Sequence, residues 1–556
     1  MIGVIADPSE HDVVPEFFEL FKTPWEFYRR DRQYEILLCT GGERVDAAAK
    51  LVLFYAGRKV HFDDEHEIRT GTQRRETCVV YSYQGNRIPI YGDTVTFPKR
   101  GNDVLTDEET DESAAYLDRS GQRVLARIGY DLFGEVRKLL TAGQPPANAN
   151  MPALELHIAF LRDLITGCGL PLVEVPPVPD GYPFIACLTH DVDNPSIRQH
   201  KWDHTTFGFL YRAVLGSFGN LLLGRIRVRS LLTNWAAALK LPFVHMGFAK
   251  DFWRGFEDRY LELEKGLCST FFVIPFKNDP GKSSHGLAPR FRAARYDARD
   301  IADSISKIMA AGCEVGLHGI DAWLDSSRGQ EELEEIQRLT GVSKIGVRMH
   351  WLYYDQKSPV TLEQAEADYD STIGYNETVG YRAGTTQAYK PLQATRLLEL
   401  PLHVMDTALF YPAYLALSPR QATALIDRMI DNVAQFGGCL TVNWHDRSLA
   451  PERLWDAFYR GLLQEVKNRG AWFATGAQVS CWFRKRRSVV FETDCDELDA
   501  VRARVPGEDG AHLPGLRLRI HNARESGQIG AHGSESYVDL AFNKSIDTRV
   551  ICGLGC

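Results

Sequence analysis

The sequence lacks three features that would place it in a familiar class: a long hydrophobic run, an excess of basic residues and a regular cysteine pattern. No stretch reaches the roughly 18 uninterrupted apolar residues of a membrane-spanning helix, so no transmembrane segment is predicted. The formal net charge of −9 and the pI near 6.0 argue against a nucleic-acid partner. The eleven cysteines contain no CxxC pair, which argues against a zinc ribbon.

The amino-terminal residues also lack the pattern of a secretion signal, because charged residues and a proline break their apolar run. The sequence therefore predicts a cytoplasmic protein with reduced cysteines. Its most apolar segment, "FGFLYRAVLGSFGNLLLGRIRVR" (207–229), is interrupted by Arg212, Asn220 and Arg225. This pattern favours an amphipathic helix that covers a site or rests on a membrane surface.

At 556 residues the chain is too long for one ordinary core, and two to four domains are expected. Residues 1–150 are predicted to form an α+β domain, in which "RVDAAAKLVLFYAG" (44–57) has the pattern of an amphipathic helix. Residues 151–182 are predicted to form a helix and a proline-rich linker. Residues 488–556 contain short strand patterns between glycine-rich turns and are predicted to form a small β-rich module.

Between residues 183 and 487, strand patterns alternate with helix patterns. Repeated alternation predicts a parallel sheet covered by helices, and about seven or eight such units predict a closed or nearly closed β/α barrel. The predicted strands are 184–191, 268–275, 313–319, 344–350, 397–406, 437–446 and 471–476.

Polar residues follow where these apolar strand patterns end. A single aspartate there is usually a turn or cap residue, and a single histidine is usually a hydrogen-bonded core residue. Recurrence at five strand ends favours a shared site, because the carboxyl ends of barrel strands surround one mouth. Imidazole and carboxylate groups together suit zinc or a related divalent ion and predict metal-assisted hydrolysis. The residues are Asp191, Asp193, His318, Arg348, His350, Asp406, His445 and Asp446.

Residues 183–480 resemble the polysaccharide deacetylases, that is, carbohydrate esterase family 4 with its chitooligosaccharide deacetylase-like barrel. The segments similar to the family's five motifs are "THDVD" (189–193), "EVGLHGIDAW" (314–323), "GVRMHWLYYDQKSPVTLEQAEADYDST" (346–372), "ELPLHVMD" (399–406) and "LTVNWHD" (440–446). The resemblance implies an α/β fold with a distorted (β/α) barrel, a divalent metal, and an aspartate base paired with a histidine acid.

The motifs also imply roles for individual residues. By resemblance, Asp191 is the catalytic base and Arg348 holds it. His445 is the catalytic acid, and Asp406 orients it.

The implied metal ligands include one departure from the family pattern. Asp193 and His318 match the first two ligands, but Ala322 occupies the position where the family usually has a second histidine. We expect His350 to be the third ligand, because it ends a strand and its imidazole suits the same metal. Asp321 is the alternative.

These residues together predict a metal-dependent hydrolase, with zinc as the expected ion, that removes N-acetyl groups from an amino-sugar glycan or glycan precursor such as an exopolysaccharide. One alternative is hydrolysis of a cyclic amide on the same barrel, as in allantoinase-like relatives. Another is a non-catalytic glycan-binding or assembly protein, which the missing histidine and the flanking domains make reasonable. The sequence does not predict the oligomeric state.

Overall fold

The computed structural model describes residues 1–40, 49–100, 103–119, 123–284, 286–493, 500–506, 513–523 and 537–549. The chain forms two compact units. The first comprises residues 1–181, 381–387 and 482–556, and the second comprises residues 182–380 and 388–481. The segments 1–150 and 488–556 therefore fall within the same unit, and their separate folding stays a prediction.

The first unit is built on a six-stranded sheet flanked by helices. Neighbouring strands are parallel except for the pair 115–118 and 124–128, which is antiparallel. In order across the sheet, the strands are Ala115–Asp118, Val124–Ile128, Leu51–Tyr55, Ile36–Cys39, Ile2–Ile5 and Trp25–Phe27. The helices of this unit are Val13–Phe21, His61–Glu65, Leu132–Thr141 and Ala153–Gly167.

The prediction of a helix over 44–57 was wrong for its second half. Leu51–Tyr55 is a strand, and all five of its residues are buried. It lies between two other strands in the middle of the sheet. Because successive side chains of a strand point to opposite faces, the burial of all five shows that both faces are covered. A strand buried on both faces has a continuous apolar run without the alternation that distinguishes strands from helices. Residues 41–48 lie outside the described part of the chain.

Short antiparallel strands complete the first unit, and they confirm the predicted β-rich character of the carboxyl-terminal segment. Leu516–His521 lies between Leu172–Glu174 and Tyr537–Phe542. The other short strands are Gln73–Arg74, Val79–Tyr83, Asn86–Ile90, Thr94–Val95, Thr106–Asp107, Val490–Thr493, Ala500–Arg504 and Ser545–Arg549.

The second unit contains a nine-stranded sheet, which confirms the predicted α/β class. Its strands are β1 (Ile185–Val192), β2 (Ser269–Val273), β3 (Glu314–Gly319), β4 (Val347–Met349), β5 (Tyr369–Asp370), β6 (Leu398–Glu399), β7 (Val404–Met405), β8 (Cys439–Asn443) and β9 (Trp472–Phe473). The order across the sheet is β6-β5-β4-β3-β2-β1-β8-β7, and β9 also pairs with β1. All these pairings are parallel.

The sheet curls so that its two ends are linked by one short segment. Strands β6 and β7 lie at opposite ends of the strand order but are only four residues apart in the chain. Leu400 N donates to Asp370 O at 2.7 Å, and His403 N donates to Thr441 O at 3.1 Å, so this linker bonds to both ends. The predicted single strand 397–406 is therefore two short strands. Pro401 between them has no N–H to offer a strand ladder.

Helices accompany the strands of the barrel, as the alternating sequence pattern predicted. They are Phe256–Leu263, Ala302–Ala310, Ser326–Thr340, Ser358–Gln364, Asp406–Phe410, Pro419–Phe436, Asp456–Asn468 and Gly476–Arg487. Helix Pro419–Phe436 shows how local sequence sets a helix start: Ser418 and Gln421 form a reciprocal capping box, and a proline occupies the first turn.

A helical hairpin, defined here as residues 202–248, is inserted between β1 and β2. Its first arm runs without interruption through His204–Tyr211, the π-helical turn Arg212–Gly216 and Ser217–Leu222. Its second arm is Val228–His245. Within the described ranges, no helix combines the length and apolarity needed to cross a membrane.

Candidate metal centre

The carboxyl ends of the barrel strands bring most of the predicted site residues together. Asp191 and His318 each lie one residue before the end of their strands, β1 and β3, and Arg348 lies in β4 at the position paired with His318. Asp193, His350 and His445 follow the ends of β1, β4 and β8, and Asp406 begins the helix after β7. Parallel strands all end at the same edge, which explains why residues far apart in the sequence meet.

Asp193, His318 and His350 form a group with the geometry of a metal site. One ligand atom from each lies within 4.8 Å of the other two. Asp193 Oδ1 is 3.4 Å from His318 Nε2 and 3.7 Å from His350 Nε2. One carboxylate and two imidazoles are a ligand set that suits zinc and related divalent ions.

The protonation pattern of this group also fits a cation. His318 Nδ1 lies 2.9 Å from Arg348 O, and because a carbonyl only accepts, Nδ1 carries the proton. In the neutral ring, Nε2 therefore presents a lone pair toward Asp193 Oδ1, which is buried and has no hydrogen-bond donor. Burial lowers the pKa of His350 well below its usual range, with Asp193 opposing and His318 and Arg292 adding to the shift. With both rings neutral, the group would offer acceptors only, an arrangement that a divalent cation would satisfy.

Ala322 and Asp321 lie outside this group. Ala322 is fully buried, and its Cβ lies close to Gly329 in the helix Ser326–Thr340. Asp321 Oδ1 accepts a hydrogen bond of 2.7 Å from Lys282 N, and Glu332 accepts the N–H of Asp321 at 2.8 Å. Both positions therefore serve the packing of the turn after β3.

A tight turn fixes the chain at His350. The next residues, Trp351 and Leu352, have φ values of 64° and 55°, a region that bulky side chains rarely occupy. Arg292 Nη2 donates to His350 O at 2.9 Å. Such strain persists only where surrounding contacts hold it, and it is concentrated at functional sites.

Asp191 is held rigidly by two donors. Arg348 Nη1 donates to Oδ1 at 3.1 Å, and Asn443 Nδ2 donates to Oδ2 at 2.7 Å. Arg348 is fully buried and is fixed in turn by Thr189 Oγ1 at 2.6 Å and Ser371 O at 2.9 Å. Both oxygens of Asp191 thus have a defined direction at the end of β1.

His445 is oriented by Asp406. His445 Nδ1 is 2.6 Å from Asp406 Oδ1, and its Nε2 is 3.8 Å from Asp193 Oδ2. Thr407 N and Ser448 Oγ also donate to Asp406, at 2.6 and 2.5 Å. Burial alone would lower the pKa of His445. The negative charge of Asp406 outweighs this effect, Asp193 and Asp191 contribute in the same direction, and the pKa rises to about 9.

Two adjoining cavities open on this group. One of about 440 Å³ contains Asp191, Asp193, His318 and His350, and a second of about 420 Å³ is lined in part by the hairpin residues His204 and Thr205. Both are lined by Asp193, His350, Trp351 and Arg447. The cleft therefore continues on two sides of the group.

Asn443 and Arg447 were missed by the sequence reasoning. Asn443 lies in register with Thr189 on the neighbouring strand β1, two residues before His445. The sequence clue to Asn443 was its amide at the end of a predicted strand, two residues before His445. Strand alternation places the two side chains on the same side. Arg447 follows Asp446, and its Nη1 is buried without a hydrogen-bond partner beside both cavities. Asp446, which the strand-end pattern included, instead accepts the N–H of Asn194 at 2.8 Å.

Comparison with known proteins gives solved structures only; no family model and no curated protein matches the chain. The chain is similar to a putative polysaccharide deacetylase from Mycobacterium smegmatis, with 20% identity, a TM-score of 0.35, and coverage of 56% of this chain and 95% of that chain. The resemblance is to polysaccharide deacetylases.

Two further solved structures match a similar share of the chain at lower sequence identity. A probable polysaccharide deacetylase from Pseudomonas aeruginosa is 14% identical, with a TM-score of 0.35 and coverage of 55% of this chain and 92% of that chain. Puue allantoinase is 15% identical, with a TM-score of 0.34 and coverage of 55% and 92%.

Proposed function

We propose that the second unit is a metal-dependent hydrolase that removes N-acetyl groups from an amino-sugar glycan or its precursor. The observation that carries the proposal is the convergence of three elements in one cleft. These are the acceptor-only group Asp193, His318 and His350, the donor-held carboxylate Asp191, and the carboxylate-held imidazole His445.

The residues fit a division of labour in hydrolysis. A zinc or similar ion held by Asp193, His318 and His350 would supply Lewis-acid polarisation of the acetyl carbonyl and acidify a water molecule. Asp191, held at the end of β1 by Arg348 and Asn443, would accept the proton of the attacking water. The two donors fix its position and leave the carboxylate lone pairs on the cleft side as acceptors.

His445 has the properties of the general acid. Its Nδ1 proton is retained by Asp406, so the proton that leaves is the one on Nε2, which faces Asp193. A pKa raised to about 9 keeps the ring protonated near neutral pH, ready to protonate the departing amine. Asp406 has the role of an orienting residue, since its other contacts fix it beneath the ring.

The shape of the cleft favours a glycan over a small cyclic amide. Cavities of about 440 and 420 Å³ extend on two sides of the metal group, and each is of the size that ligand sites usually have. Trp351 lines both cavities, Tyr411 lines the first and Phe291 the second. Flat aromatic rings of this kind suit the apolar faces of sugars.

The test is acetate release by the purified chain loaded with zinc. We expect acetate from N-acetylglucosamine oligosaccharides and no ring opening of allantoin, with both measured against the Asp191→Asn variant. Ring opening without acetate release would replace the proposal with a cyclic-amide hydrolase. Metal binding with neither reaction, but with retention on a glycan column, would indicate a binding protein.

A further inference from the structure

The helical hairpin, residues 202–248, exposes a large share of the hydrophobic side chains on the protein surface. Of 25 large hydrophobic side chains that are exposed in the described part of the chain, 15 lie in this hairpin. Leu222, Leu223 and Leu239 are 73%, 67% and 77% exposed. A contiguous apolar surface of this kind marks an interaction site.

The exposed residues follow helical periodicity on both arms. On the first arm they are Phe207, Tyr211, Val214, Leu215, Phe218 and Leu222, and on the second Val228, Leu232, Trp235, Leu239, Phe243 and Met246. Spacings of three and four residues place each set along one face of its helix. Asn234 Nδ2 donates to Ser217 Oγ at 2.7 Å, and this hydrogen bond links the two arms.

The opposite face of the hairpin is already used for packing. Phe209, Ala213, Ala237, Leu241 and Val244 are buried in a cluster that includes three residues outside the hairpin: Ile197, Trp253 and Ala450. Each arm is therefore apolar on two faces, and the barrel covers one of them. A helix with this pattern normally has a second apolar neighbour.

The charge of the hairpin indicates what kind of partner its exposed apolar faces would bind. Residues 202–248 contain one acidic residue, Asp203 at the start of the first arm, whereas the chain average of 73 acidic residues in 556 would place about six in that length. The hairpin carries five basic residues, namely Arg212, Arg225, Arg227, Arg229 and Lys240. Three of them flank the turn between the arms, beside Leu222 and Leu223.

We propose that the helical hairpin docks the protein on an anionic phospholipid surface. The exposed apolar faces would enter the boundary between headgroups and acyl chains, and the arginines of the turn would meet lipid phosphates. Trp202 and Phe248, the first and last residues of the hairpin, are 84% and 81% exposed, and exposed Trp and Phe side chains are typical of interfacial amphipathic helices. The proposal does not depend on the proposed hydrolase activity.

Charge also argues against a second copy of the chain as the occupant. A two-fold symmetric contact through the hairpin would place each predominantly basic hairpin against its own copy. Like charges in such a contact repel, whereas an anionic bilayer attracts the same residues.

The test is flotation of the full chain with vesicles of 70% phosphatidylcholine and 30% phosphatidylglycerol at 50 mM NaCl. We expect the chain to float with these vesicles, to bind pure phosphatidylcholine at least tenfold more weakly, and to be released by 500 mM NaCl. Leu222→Glu and Leu239→Glu should each weaken binding about tenfold or more, because each removes a leucine from the apolar contact. Arg225→Gln and Arg227→Gln should weaken it about fivefold each.

Leu287→Glu is the matched control, since Leu287 is 86% exposed and lies outside the hairpin. We expect it to bind like the wild type, and all the variants to show unchanged circular dichroism because no buried group is altered. The proposal is overturned if the wild type does not float, or if Leu287→Glu is impaired as much as Leu239→Glu. It is also overturned if the chain is a dimer that Leu239→Glu dissociates, since the hairpin would then be an interface between copies.

Discussion

The two units place buried ionisable groups in different settings. In the first unit, Arg127 and Asp63 are both fully buried and are joined by two hydrogen bonds, at 2.8 and 3.3 Å. The remaining donors of Arg127 meet carbonyl groups, including Ala56 O at 2.8 Å. In the second unit, Asp193 Oδ1 is buried without a donor and faces two imidazoles. Burial of charge therefore does not by itself mark a site; an incomplete set of partners beside a cavity does.

His157 shows that an unpartnered buried nitrogen alone does not make a metal site. His157 in the first unit also has a buried ring nitrogen, Nε2, without a partner. Its Nδ1 meets Tyr130 Oη at 3.0 Å, and no other ligand-type side chain of the described residues joins it in a metal-sized group. Burial lowers its pKa to about 3, so it is a neutral core residue.

The sharpest contrast is expected from Asp191→Asn in the second unit. The change keeps the shape of the side chain but removes the carboxylate that accepts a proton, so acetate release should fall about 10²–10⁴-fold. Metal content, measured by mass spectrometry of the purified protein, should stay at the wild-type level because Asp191 is not one of the three proposed ligands. Loss of metal together with activity would mean that Asp191 is itself a ligand.

Arg127→Met in the first unit should act on stability alone. Removing the guanidinium leaves Asp63 buried and unpaired, which should lower the free energy of unfolding by about 3–5 kcal/mol. The control is Arg29→Met. In the wild type, Arg29 forms an exposed ion pair with Asp31, so this variant should have an unchanged midpoint of urea unfolding. Metal binding by the folded Arg127→Met protein should equal that of the wild type. A changed metal affinity would contradict the prediction that Arg127 affects stability alone.

A smaller effect is expected from His157→Asn, and it depends on pH. The folded pKa of about 3 lies below the usual 6.5, so the unfolded chain gains a proton as the pH falls through 6.5 while the folded chain does not. This linkage should cost the wild type about 2 kcal/mol at pH 5 relative to pH 7.5. Asparagine still accepts from Tyr130 but does not titrate, so its urea midpoint should fall less over this range. If the urea midpoints of both proteins fell equally between pH 7.5 and pH 5, His157 would not be the group that causes the pH dependence.

Much of the second unit could be predicted from the sequence. Alternating strand and helix patterns gave the sheet, and Asp191, His318 and Arg348 follow from the rule that parallel strands end at one edge. The rest depended on contacts that no pattern contains. Asn443 holds Asp191 from 252 residues away, and a single amide in a strand does not reveal its partner.

The errors have equally local causes. Leu51–Tyr55 has no alternation because both faces of the strand are covered. The break at Pro401 was hidden in a segment that otherwise has an apolar strand pattern.

The most direct test of the metal centre is calorimetric titration of zinc into the metal-free wild type, His350→Ala and Asp321→Ala. His350 belongs to the acceptor-only group, whereas Asp321 is engaged by Lys282 N. We predict that His350→Ala loses more than the roughly 100-fold in affinity typical of an indirect supporting residue, and that Asp321→Ala stays within about tenfold of the wild type. The reverse, with tight binding in His350→Ala and weak binding in Asp321→Ala, would contradict the account.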